Sequence, residues 1–225
     1  MSSEAIELSW KRGVRDLPTQ NVIPFISYYL YKKREISLEE EEGLFKWFVL
    51  ASYFRRYSAS VETRLNEDLG VLSKGGDYKS LLKKIAEREG NLKQRIKADI
   101  DAGRWNKLLL YALLRQSGAE DLLTGQKLNT RNTIHHIFPR RLKYSHPEFI
   151  EDIGNITLVN HYTNQKLSGE LPVNYLRTVP LKRIVAHYIL RYEELWKLEE
   201  IGSFINQRRK LLKEAVDRFF KDINF

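Results

Sequence analysis

Residues 134–167, "IHHIFPRRLKYSHPEFIEDIGNITLVNHYTNQKL", decide how this chain is read. β-Branched and aromatic residues surround His135 and His136, so "TIHHIF" has the composition of a strand, and Pro139 ends it. "ITLV", from Ile156, is a second short β-prone run bounded by Gly154-Asn155 and Asn160. A helix-like segment, "NQKLSG", follows and carries Asn164 and Lys166. The order is strand, irregular loop, strand, helix. Successive side chains on a strand point to opposite faces, so a straight strand cannot aim both histidines at one target. Taken by themselves, His135 and His136 could be packed core, metal ligands or catalytic groups.

Outward from this stretch, the texture of the chain changes once. Residues 1–125 read as a helical domain, and residues 126–225 as a smaller β-containing domain closed by helices. In the first part, "PFISYYLYKKR" places a proline at a helix start and apolar residues at three- and four-residue spacing. Ser37-Leu38-Glu39-Glu40 is a capping-box pattern that starts a helix through Trp47 and Phe54. The next helix is predicted to start near Ser60 and to be capped by Gly70. A charged helix over 78–101 and an apolar one over 105–116 complete this half. At the other end, "LKRIVAHYILRYEELWKL" and "FINQRRKLLKEAVDRFF" both show helical periodicity. His187 sits on the apolar face of the former and is expected to be packed. Arg208, Arg209 and Lys210 form a basic edge on the latter that is either solvated or available to a polyanion. The fold class expected is mainly α with a small α+β element.

Composition narrows the function classes. The 225 residues are 42% hydrophobic and 30% charged, with neither a disordered nor a membrane-spanning profile. The apolar run "LFKWFVLASYF" contains Lys46 and falls short of the ~20 residues a bilayer needs. "MSSEAIELSWKRG" has no basic start followed by an apolar core, so a cytoplasmic protein is expected. The absence of cysteine excludes disulfides, thiolate nucleophiles and cysteine-zinc sites. Any metal must be held by His, Asn, Asp or Glu. The net charge of +9 favours a polyanionic partner, although a basic, merely solvated surface has the same composition. Residues 126–225 carry most of the excess, 17 basic against 11 acidic side chains. Gly75-Gly76 lacks the Lys-Ser/Thr of a phosphate-binding loop.

Three features now fall in order: His-His-Ile-x-Pro at a strand end, Gly-Asn-Ile-Thr-Leu opening a second strand, and Asn164 nine residues after Asn155. This arrangement resembles the HNH, or ββα-metal (His-Me finger), endonucleases. More specifically, "IHHIFPRR", "IGNITLV" and "TNQKLSG" resemble the C-terminal nuclease domain of Gmr-type modification-dependent restriction enzymes and their antiphage relatives. "FKWFVLASYFRRYSASVETRLNEDL" resembles the segment preceding that domain. The resemblance implies a metal-dependent endonuclease hydrolysing DNA phosphodiester bonds. His136 would be the general base, Asn155 would hold the loop and help orient it, and His135 and Asn164 would be the metal ligands.

The chemistry asks for these residue types. Phosphodiester hydrolysis needs a deprotonated water and positive charge beside the phosphate, and an imidazole can take the proton near neutral pH. Arg140, Arg141, Lys143 and Lys166 flank the motif and could neutralise phosphates, though each alone could be a solvated charge. One departure matters: many HNH sites have an Asp where this chain has His135, so the ligands carried over are neutral. The ion expected is Mg²⁺, with Mn²⁺, Ni²⁺ or Co²⁺ also open through imidazole, bound weakly until DNA phosphates join it. The "Asp-Gly-Gln-Gln-Arg" stretch that marks the NTP-hydrolysing domain of the large enzymes does not occur. The chain therefore looks like the C-terminal half of such an enzyme, either a separate subunit that works with an NTPase-type restriction partner or a truncated or excised piece of the larger enzyme. Cutting both strands with one such site would take a homodimer or two nicks. The competing readings are a catalytically silent nucleic-acid-binding or docking module, and a helical protein with a zinc held by histidines such as His146 and His161.

Overall fold

The computed structural model describes residues 22–129 and 131–223, and the N-terminal stretch read for a leader lies outside them. Among these described residues the chain is mainly α-helical with one two-stranded antiparallel sheet, as its composition and periodicity predicted. It divides into two compact units, one of residues up to 92 together with Ile223, the other of residues 93–222. The change of sequence texture near residue 125 therefore falls inside the second unit.

The first unit is built from α1 (Val22–Lys33), α2 (Leu38–Tyr53), α3 (Val61–Ser73) and α4 (Tyr78–Glu89). Ser37 Oγ accepts the Glu40 N–H at 3.1 Å, so the predicted cap forms. The Glu40 carboxylate is taken up by Tyr29 Oη at 2.8 Å and Lys33 Nζ at 3.0 Å. Phe25, Trp47 and Tyr57 are buried together, with ring centroids 4.6 and 6.4 Å apart. The buried Asp68 receives both Arg56 nitrogens at 2.7 Å, which compensates for two charges removed from water.

The second unit starts within α5 (Leu92–Asp101) and continues with α6 (Lys107–Gln116). β1 (Thr133–His136) pairs antiparallel with β2 (Ile156–Val159), setting His135 opposite Thr157 and His136 opposite Ile156. Between the strands the chain makes short helical turns, including α7 (Pro147–Ile150) and the tight turn Ile153–Asn155. Then follow α8 (His161–Lys166), α9 (Pro172–Tyr175), α10 (Leu181–Ala186) and α11 (Ile201–Phe219). α11 packs along α6 and onto the 153–155 turn, and Phe138, Ile150, Leu176, Phe204 and Ile205 are fully buried around it. Gly154 is required there: a Cβ would lie 2.8 Å from the Ile205 carbonyl oxygen.

Several elements differ from the periodic reading. The charged helix over 78–101 is two helices, separated at Gly90 with φ +75°. Ser60 is left-handed (φ 53°) with no side-chain cap, and α3 runs past Gly70 to Ser73. The helix read through "LKRIVAHYILRYEELWKL" stops at Ala186, because Tyr188 turns left-handed (φ 55°). There His187 gives its ring to Thr157 and the Glu120 carbonyl, each at 2.7 Å, while Tyr188 Oη donates to the Leu113 carbonyl at 3.0 Å. These bonds to other elements outweigh the local helical pattern. No helix among the described residues is long and apolar enough to cross a membrane.

Candidate functional site

The helix carrying Asn164 is fixed first. Asn160 Oδ1 accepts the Thr163 N–H at 2.7 Å and caps α8, which therefore begins at His161, earlier than the segment read as helix-like. Behind the cap lies the fully buried Asp121. Its carboxylate accepts from Thr163 Oγ1 (2.6 Å), the Asn160 N–H (2.7 Å) and the Thr124 N–H (2.9 Å). Burial alone would raise the pKa of this carboxyl. The bonds from Thr163, Thr124 and Asn160 outweigh burial and hold it below the usual range.

The strand answers the question of the two histidines. His135 turns inward, and its Nδ1 lies 3.0 Å from Asn164 Oδ1. His136 takes the opposite side of the strand, with Nε2 3.3 Å from Glu151 Oε2. Both still line one open cleft of about 360 Å³, together with Trp105, Arg140, Glu151 and Asn164. Burial lowers the His135 pKa to about 4, against the raising effect of Asn164. Burial also lowers the pKa of His136, opposed by the bond to Glu151. Both rings are therefore neutral, lone-pair-bearing groups at neutral pH.

The donor set fits a divalent ion. Tyr175 Oη gives its one proton to the Ile137 carbonyl (3.1 Å), so toward His135 Nε2 (3.3 Å) it acts as acceptor. The His135 proton then sits on Nε2, leaving the Nδ1 lone pair facing another acceptor, Asn164 Oδ1. In the other tautomer Nδ1–H would donate to Asn164, and Tyr175 would have to give up Ile137 to serve Nε2. Two acceptors 3.0 Å apart match neighbouring ligands held at about 2.1 Å on one cation. Among the described residues no three His, Asp or Glu side chains gather around a common point. His146 bonds Ser145 Oγ at 2.8 Å, and His161 is exposed on α8.

Asn155 is fully buried, and among the described residues its side chain hydrogen-bonds to neither histidine ring. Its Oδ1 accepts the Phe138 N–H at 2.7 Å, and its Nδ2 donates to the carbonyls of Phe138 (2.9 Å) and Ile150 (3.1 Å). It clamps the turn just past the histidines to the end of α7. Arg140 bonds Glu151 Oε1 at 3.2 Å, Lys143 approaches the same oxygen at 4.0 Å, and Arg141 donates to the Gly169 carbonyl at 3.0 Å. Lys166 is exposed at the end of α8. Arg208 corrects the reading of a basic edge on α11. It is completely buried, donating to the carbonyls of Ile153, Gly154, Ile156 and His187 at 2.8–3.1 Å. Arg209 pairs with Asp152, leaving Lys210 as the exposed member of that trio.

Sequence reasoning missed Glu151, Tyr175, Asp121 and Trp105. Glu151 and Tyr175 lie 15 and 40 residues from the histidines they meet, and Asp121 lies 42 residues before Thr163. None belongs to a spaced motif. A lone acidic residue in an irregular loop carries no sign of which side chain it will face.

The sequence model for the C-terminal domain of the GmrSD restriction endonucleases matches residues 84–201, just over half of the chain and all of the cleft. An uncharacterized protein of Methanocaldococcus jannaschii, MJ0686, is 23% identical over 229 aligned residues. That alignment takes in 93% of this chain and spans 38% of the relative's length. No solved structure matches. With the match centred on the residues that build the cleft, the chain belongs to the GmrSD restriction endonuclease C-terminal domain family.

Proposed function

We propose that the chain is an HNH-type, metal-dependent DNA endonuclease acting in the cytoplasm within a restriction or antiphage system. The observation that carries this reading is the pairing of His135 with Asn164 beside His136 in one cleft. A divalent ion held by His135 Nδ1 and Asn164 Oδ1, Mg²⁺ or in its place Mn²⁺, Ni²⁺ or Co²⁺, would supply positive charge beside the reacting phosphate. His136 takes a proton from the attacking water as its oxygen bonds to phosphorus. The bond from phosphorus to the leaving oxygen breaks, and that oxygen takes its proton from solvent. Asn155 holds the backbone that presents His136. Arg140, Arg141, Lys143 and Lys166 neutralise flanking phosphates and align the strand. DNA is the partner this reading calls for; an NTP-hydrolysing region would come from a separate subunit or from a longer form of the chain, and cutting both strands would take a second copy or two successive nicks.

Nicking of supercoiled plasmid with Mg²⁺ or Mn²⁺ tests the proposal. The wild type should nick, whereas His136→Ala, Asn164→Ala and EDTA-treated protein should not. Undiminished nicking by His136→Ala removes the base assignment. Salt-sensitive DNA binding by a wild type that never cleaves would favour the silent docking module instead.

A further inference from the structure

We infer that Glu151 is the positioning residue for the base, holding the His136 ring with its proton on Nε2 so that Nδ1 is the atom turned toward water. This rests on the reading of His136 as base. An ionised carboxylate only accepts hydrogen bonds, so a neutral imidazole facing it must present N–H. Glu151 Oε2 faces Nε2 at 3.3 Å, and Nδ1 makes no hydrogen bond among the described residues. The ring is largely enclosed, its side chain 12% exposed, while the Glu151 side chain is 44% exposed and stays hydrated. The Glu151 backbone is anchored by its neighbours. Its carbonyl accepts Trp105 Nε1 at 3.2 Å, and the next residue, Asp152, pairs with Arg209 and accepts the Gly154 N–H at 2.7 Å. The carboxylate's second oxygen lies near Arg140 and Lys143, at 3.2 and 4.0 Å, which orients it toward the ring.

A rival role would use the same contacts: the carboxylate could simply occupy Arg140 and Lys143 and compete with DNA phosphates. The two roles predict opposite results for Glu151→Ala. Positioning predicts that kcat falls roughly 10- to 100-fold while KM stays level or drops, because two cations are released to DNA. Competition predicts faster cleavage. Exposed ion pairs of this kind add little to stability, so the variant should fold, and its thermal melt is the control.

Glu151→Gln keeps an acceptor and should retain most of kcat. Independently of cleavage, ¹⁵N-histidine spectra at neutral pH, assigned by the signal lost in His136→Gln, report the tautomer. The wild type and Glu151→Gln should show protonated Nε2 and lone-pair Nδ1, and Glu151→Ala an averaged ring. A wild-type ring protonated at Nδ1, or an Ala variant with undiminished kcat, overturns the inference. Should the wild type not cleave at all, the endonuclease reading fails while the spectra still decide the tautomer.

Discussion

Replacing Arg208 by methionine should destabilise the second unit severely, and the size can be worked from its contacts. The guanidinium is fully buried, and burial pulls its pKa down to about 9, against the raising influence of Tyr175 and Asp152. Four carbonyls, at 2.8–3.1 Å, offset this cost through charge-assisted bonds. Methionine keeps much of the stem's packing and leaves the Gly154, Ile156 and His187 carbonyls without a donor, while the Ile153 carbonyl keeps only the Ile156 N–H. At about 1 kcal/mol each, the loss is roughly 3–5 kcal/mol. For a unit of this size that is a fall in Tm of about 10–20 °C by differential scanning calorimetry. Arg208→Lys should fall between, since a single ammonium reaches fewer carbonyls, and the exposed Lys210→Ala should shift Tm by no more than about 1–2 °C. Nicking should fall with stability, because three of the four carbonyls flank Asn155. A methionine variant melting within about 3 °C of the wild type would refute the reasoning.

Three further outcomes follow from the same contacts. Burial lowers the His187 pKa from 6.5 to about 4, so below pH 6.5 the unfolded chain takes up a proton that the folded chain refuses. Stability is then complete above that pH and declines toward pH 4, by about 3 kcal/mol from this group. Urea unfolding across the range should show a shallower acid loss in His187→Gln, and parallel curves would count against the assignment. Asn164→Asp adds the anion that the ligand pair lacks, and should tighten Mn²⁺ binding without DNA at least about tenfold by calorimetric titration. Equal wild-type affinity with and without DNA would argue against a neutral ligand pair. Lys166→Ala should lower the slope of log affinity against log salt by about 0.9 if it contacts a phosphate of duplex DNA, and an unchanged slope would release it from that role.

How legible was this molecule? Both strands, the helix after them and the strand-loop-strand-helix order were written locally, since β-branched runs, Pro139 and an Asn cap act within a few residues. The opposite facing of His135 and His136 also followed from strand geometry alone. Helix ends fared worse. Periodicity carried "LKRIVAHYILRYEELWKL" straight through, whereas distant groups drew His187 and Tyr188 out of the helix.

The sequence by itself determined the chemistry on offer: two adjacent imidazoles, two asparagines nine residues apart, no thiols and a basic second half. Tertiary structure alone decided which groups meet. It brought Glu151 to His136 and Tyr175 to His135, and set Asp121 behind the Asn164 helix. It also moved Arg208 from an apparent surface edge into the core, where it holds the turn bearing Asn155. The reason is physical. Strand alternation and helix caps depend on neighbours in sequence, whereas a buried polar group must find its partner wherever the packed chain supplies one.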